Sequence, residues 1–147
     1  MAEDFILNEL SKKFNGDENA ARQLNPLILA SIGDAVYSLS IRCHMVANHD
    51  FNAHMLHMNS AKMVRASAQK EAYYKIENLL LEDELYIAKR GRNSHPGTVP
   101  KNADILDYRV ATALEAVFGY LYILNKADRI NLLIKTILEN ENEEVWR

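Results

Sequence analysis

Two carboxylates stand apart from the other charges of this 147-residue chain. Between Arg22 and Arg42 the only charged residue is Asp34, and between Arg109 and Lys126 it is Glu115. Asp34 lies in Leu27-Ile28-Leu29-Ala30-Ser31-Ile32-Gly33-Asp34-Ala35-Val36-Tyr37, and Glu115 in Val110-Ala111-Thr112-Ala113-Leu114-Glu115-Ala116-Val117-Phe118-Gly119-Tyr120. Segments this apolar belong in an interior, so both acids are expected to be partly buried or to line a cleft. A carboxylate taken from water is costly unless it is paired, protonated or bound to a cation. Two brought close together raise each other's pKa unless a metal neutralises them. Hard oxygen donors of this kind suit Mg²⁺ or Mn²⁺ rather than zinc. The alternative is a pairing with arginine, for which Arg42 and Arg109 stand nearby in sequence.

Small residues surround both acids. Ala30 lies four residues before Asp34 and Gly33 beside it; Ala111 and Gly119 lie four residues to either side of Glu115. On a helix that spacing is one face, and small side chains there let two helices cross tightly around the acids.

Histidine offers a second chemistry. His44, His49, His54 and His57 crowd between Cys43 and Met58. The spacing of His54 and His57 could serve a metal on a helix. His49-Asp50 is the dipeptide of HD-type metal phosphohydrolases, which would need another His, such as His44, and a later Asp, such as Asp104 or Asp107. The spacing compels neither arrangement, and surface or packing histidines are the ordinary reading.

The elements that must position these groups read as helices throughout. Apolar residues at Phe5, Ile6, Leu7, Leu10 and Phe14 predict a short amphipathic helix, ended by Asn15-Gly16-Asp17. Asn25-Pro26 supplies an N-cap and a first-turn proline for a helix to about Asn48. A short helix is expected over Ala53–Met58, and Ser60 can cap another from Ala61 to about Glu77. Glu82-Asp83-Glu84 opens the next, with Lys89-Arg90 near its end, as the helix dipole favours. Gly91–Lys101, with two glycines and two prolines, reads as a loop. Helices from Ala103 to about Asn125 and from an Asp128 cap to about Asn140 follow, and residues 141–147 form an acidic tail expected to fray. Period-two strand patterning is absent. The fold class is all-α, with about six or seven helices.

Composition sets the outer bounds. The length fits one domain over residues 1–147. Apolar residues make up 48% and charged residues 25%, as in an ordinary globular protein rather than a disordered one. The single cysteine, Cys43, excludes an internal disulfide and suits a reducing cytoplasm. No stretch reads as a membrane span, and the acidic N-terminus does not read as a secretory signal. The net charge of −3 does not advertise a nucleic-acid binder. A basic excess does lie within residues 62–101, and a local basic surface can attract phosphates because the interaction is screened beyond roughly 10 Å. The same residues also fit a solvated helix face.

These segments resemble a known family. Ile32-Gly33-Asp34-Ala35-Val36-Tyr37 is similar to part of the ribonuclease III signature, and Leu114–Tyr122 resembles that family's second motif. Arg90-Gly91-Arg92-Asn93, Thr98–Asn102 and Tyr108–Thr112 resemble the short bacterial branch called Mini-ribonuclease III, and the likeness runs from about Asn25 to Asn140. The larger enzymes carry additional acids where this chain has Leu27, Ala30 and Thr112, and a double-stranded RNA-binding domain that the short branch lacks. Asp34 and Glu115 remain as the minimum pair.

The resemblance implies a ribonuclease III endonuclease-type helical fold with catalytic carboxylates on two crossing helices. It implies a homodimeric endoribonuclease of double-stranded RNA that leaves 5′-phosphate and 3′-hydroxyl ends. Asp34 and Glu115 would be both catalytic residues and ligands of Mg²⁺, with Mn²⁺ as a substitute. The implied substrate is the stalk formed by the ends of precursor 23S ribosomal RNA, in the cytoplasm, with a ribosomal protein or pre-ribosomal particle as a further partner. Double-stranded RNA is read by shape and phosphates. The candidates for that contact are Lys62, Arg65, Arg90, Arg92, Asn93 and Lys101, of which the last four lie in motif segments. A catalytically inactive RNA-binding module of the same fold, the HD-type phosphohydrolase and a helical interaction module remain as alternatives.

Overall fold

The structure, a computed structural model, describes residues 5–94, 101 and 104–139. Among the described residues it is all-helical, as expected. The α-helices are α1 (Glu9–Phe14), α2 (Glu18–Gln23), α3 (Pro26–Asn48), α4 (Ala53–Val64), α5 (Ala66–Ile76), α6 (Glu82–Arg92), α7 (Ile105–Ile123) and α8 (Ala127–Leu138). Single 3₁₀ turns precede α1 and follow α5. No helix among the described residues is long and apolar enough to cross a membrane. The expected acidic tail lies outside the described residues.

Helix α7 is the axis. It is buried on nearly every side, and α3, α5, α6 and α8 pack around it. A helix apolar all round has no solvent face to prefer, so neighbours must cover it. Asp104 starts it, accepting from the Asp107 amide at 3.1 Å. Helix α3 starts as its sequence predicts: the Asn25 side chain accepts from the Leu27 amide at 2.8 Å, and Pro26 occupies the first turn.

The contact between α3 and α7 is backbone on backbone. A Cβ on Gly33 would fall into the Glu115 carbonyl and lie 2.7 Å from the Gly119 amide nitrogen. A Cβ on Gly119 would fall into the Leu29 carbonyl and lie 3.1 Å from the Gly33 nitrogen. Each glycine therefore makes room for the opposite helix. Tyr37 and Phe118, with ring centroids 5.3 Å apart, fill the space one turn further on.

Other joints depart from the sequence reading. Asn15-Gly16-Asp17 ends α1, but Asp17 also begins α2, accepting from the Ala20 amide at 3.1 Å. That short helix is the one the hydrophobic pattern does not announce. The break expected near Ser60 falls instead at Arg65, whose backbone is extended. Asn59 and Ser60 are buried inside α4 and donate back to the carbonyls of Met55 and His57, at 2.8 and 3.1 Å. Such back-bonding lets a capping residue type sit within a helix. Helix α6 runs through Gly91 and Arg92, where a loop was expected, because Gly91 packs closely on α7 at Ala113 and Ala116. Helix α8 begins after Lys126, with Asp128 in its first turn rather than at its cap.

Glu84 is 1% exposed and paired with Arg129 at 2.6 Å, and it also accepts from the Leu81 amide at 3.0 Å. This buried pair joins the start of α6 to α8. The Gly119 contact generates a stability prediction. Gly119→Ala is expected to destabilise the fold by about 3 kcal/mol in urea unfolding, because rigid backbone must move to admit the methyl group. A loss below about 0.5 kcal/mol would show that the crossing is loose.

Candidate active site

The crossing of α3 and α7 brings Asp34 and Glu115 together. Both line one open pocket of about 440 Å³, whose other walls are Leu27, Ala30, Ser31, Tyr108 and Thr112. Asp34 is exposed at its rim and Glu115 is half-buried. The small residues act as the sequence predicts: Gly33 and Gly119 permit the approach, and Ala30 leaves the space above the acids open. Leu27, Ala30 and Thr112, the positions at which larger enzymes of the resembled family carry acids, all face the same pocket. Thr112 donates its hydroxyl back to the Tyr108 carbonyl at 2.9 Å.

The electrostatics follow from this placement. Burial, then the hydrogen bond and negative charge of Asp34, push the Glu115 carboxyl up to about 8. At neutral pH Glu115 therefore holds a proton and donates it to Asp34. Gln69 of α5 works in the other direction, donating an amide hydrogen to Glu115. Among the described residues the ion pairs are Lys70–Asp107, Lys126–Glu18 and Arg129–Glu84, and none reaches Asp34 or Glu115. Arg42 instead donates to the Ser38 carbonyl at 3.3 Å, so the arginine pairing open to Asp34 in sequence is not used. Two acids sharing a proton in a solvent-open pocket form an oxygen donor set that fits a hard dication, which would displace that proton.

The basic candidates scatter around this centre. Arg65 and Lys62 are exposed and line a separate pocket of about 230 Å³ at the α4–α5 joint. Arg65 begins the turn that ends on Gln69. Arg92 and Asn93 are exposed at the end of α6, where a Cβ on Gly91 would lie 3.1 Å from the carbonyl of the pocket residue Thr112. Lys101 is exposed. Arg90 is half-buried, and its guanidinium donates to the carbonyls of Arg22 and Leu24, closing the end of α2. Sequence reasoning missed that tether and the Gln69 contact.

The histidines stay apart from the acids. His44 lies beside Asn48 at 3.3 Å, His49 stacks on Phe51 at 5.0 Å, and His54 and His57 are exposed. Asp104 caps α7 and Asp107 pairs with Lys70 at 2.5 Å, so neither completes the HD-type constellation. No group of three or more His, Cys, Asp or Glu converges as a metal cluster among the described residues.

Comparison with known proteins supplies the relatives. The Ribonuclease III domain family matches residues 27–126, which include both acids. A Mini-ribonuclease 3 of Clostridium tetani is 41% identical over 133 residues, covering 88% of each chain. One of Thermoanaerobacter is 46% identical over 116 residues, covering 79% of each chain. A crystal structure of a protein from Fusobacterium nucleatum aligns with a TM-score of 0.75 and 34% identity, over 82% of this chain and 97% of that one.

The proton on Glu115 predicts a pH dependence. The folded protein keeps it up to about pH 8, whereas an ordinary glutamate loses it near 4.5. Between those values the folded state binds more protons than the unfolded chain, so metal-free stability falls as pH rises. In EDTA, Glu115→Gln is expected to flatten that slope and to exceed the wild type at pH 8 by on the order of 2 kcal/mol. Parallel slopes for the two proteins in urea unfolding between pH 5.5 and 8 would contradict the shared proton.

Proposed function

This chain belongs to the ribonuclease III family, as an endoribonuclease of double-stranded RNA in the Mini-ribonuclease 3 branch, and we propose that it matures 23S ribosomal RNA by cutting the stalk of the precursor, using Mg²⁺ held by Asp34 and Glu115. The observation that carries the reading is the convergence of those two acids, 81 residues apart in sequence and on different helices, on one open pocket. The whole chain, residues 1–147, acts in this reading as one catalytic domain.

When bound, Mg²⁺ supplies positive charge beside the scissile phosphate and a water of lowered pKa. Asp34 and Glu115 would hold the ion, for which Glu115 would be needed in its deprotonated form. Ala30, with its small side chain on the pocket wall, keeps the approach to the acids open. Arg92, Asn93 and Lys101, with Lys62 and Arg65, contact phosphates and 2′-hydroxyls of the duplex. Arg90 serves that surface by anchoring α6 to α2. Mn²⁺ substitutes for Mg²⁺, and the reaction leaves 5′-phosphate and 3′-hydroxyl ends in the cytoplasm. A pre-ribosomal particle or one of its proteins presents the stalk.

Two-strand cutting is best served by a homodimer. Ile28, Ala35, Leu39 and Val46 form an exposed, largely apolar stripe along α3, spaced by multiples of its turn and running beside the flank that carries Asp34. A second copy seated on that stripe gives two pockets related by a two-fold axis.

The direct test is an end-labelled RNA duplex incubated with Mg²⁺. Cuts on both strands are expected, with none in EDTA and a fall of at least about 10³-fold for Asp34→Asn. In the same assay Arg92→Ala is expected to bind the duplex more weakly, with its salt slope reduced by about one. An active Asp34→Asn enzyme would sink the site assignment. Duplex binding without any cut in the wild type would support the inactive module instead. Light scattering is expected to give a dimer at micromolar concentration and a monomer for Leu39→Glu, and a wild-type monomer would overturn the two-fold arrangement.

A further inference from the structure

Gln69 occupies a position that packing alone would give to an apolar residue. It lies on the face of α5 that buries Ala72, Tyr73 and Ile76 against the core, at the helical spacing of a core stripe, and is 2% exposed. An amide there is costly unless its polar atoms are satisfied. Lys70, the next residue, is paired with Asp107, and Arg65 is exposed one turn earlier. Helix α5 packs on α7, and the Gln69 side chain meets Glu115.

We propose that Gln69 is a positioning residue of the metal site, holding one oxygen of Glu115 from the core side and leaving the other directed to the pocket. The inference rests on the nuclease reading above. A glutamine suits this task in a way that lysine or arginine does not. It orients a carboxylate through an N–H donor but adds no positive charge that would compete with a dication for the acid pair. It also acts from a rigid element, because α5 is locked to the core through Ala72, Tyr73 and Ile76.

The test uses the full chain with Gln69→Met, which keeps the volume and removes the donor, and Gln69→Leu as a second apolar variant should the first fail to fold. Mn²⁺ binding is followed by calorimetry without RNA, and thermal unfolding is followed in EDTA. The expected result is Mn²⁺ binding weakened about tenfold or more. The EDTA midpoint is expected to be unchanged or raised. In the cleavage assay at limiting Mg²⁺, kcat is expected to fall while KM for the duplex stays constant, and excess Mg²⁺ is expected to restore kcat. Unchanged Mn²⁺ binding in Gln69→Met, with loss in Asp34→Asn, would overturn the role of Gln69 and leave the nuclease reading standing. Absence of Mn²⁺ binding in the wild type would overturn both.

Discussion

Two glycines decide where everything else can go. Gly33 and Gly119 let α3 and α7 touch through their backbones, each removing a side chain that the opposite helix would strike. No other residue type permits that approach, since even a methyl group falls into a peptide carbonyl. The consequence is chemical as well as mechanical. Asp34 neighbours one glycine and Glu115 precedes the other by one turn, so the crossing that closes the core also sets the distance between the two acids. The pocket is the open flank of that crossing, where Ala30 and Ser31 leave room above the carboxylates.

The same crossing creates an electrostatic conflict that the fold does not resolve by itself. Other carboxylates near the core have structural partners. Glu84 has Arg129 and the Leu81 amide, Asp83 accepts from the Tyr120 hydroxyl at 2.8 Å, and Asp107 has Lys70. Asp34 and Glu115 have each other and the neutral Gln69. A fold selected for stability alone has an inexpensive remedy, an arginine or an apolar replacement. Its absence leaves an acid pair that gains most from a bound dication.

Much of this was legible in the sequence, for identifiable reasons. The isolation of Asp34 and Glu115 among apolar residues, with small residues one turn away, carries the crossing, because helix periodicity is local and side-chain volume needs no tertiary information. The Asn25 cap marks the start of α3 by local hydrogen bonding alone. What stayed hidden depends on partners distant in sequence. Arg90 reads as a free cation until α2 offers it carbonyls 66 and 68 residues away. Gln69 acquires its contact with Glu115 only once α5 packs on α7. The α4–α5 break was misplaced because Ser60 is a capping residue by type, while burial turned its hydroxyl back into its own helix. Helix α2 is too short to show a period, and only Asp17 announces it.

We propose that the α3–α7 crossing builds one dication site from Asp34 and Glu115. The most direct measurement is a crystal structure of the protein soaked in Mn²⁺, read by anomalous scattering. The account predicts a peak in the pocket within coordination distance of a carboxylate oxygen from each acid, and its loss in Asp34→Asn. A peak held by only one of the two acids, or none in the pocket at all, would contradict it.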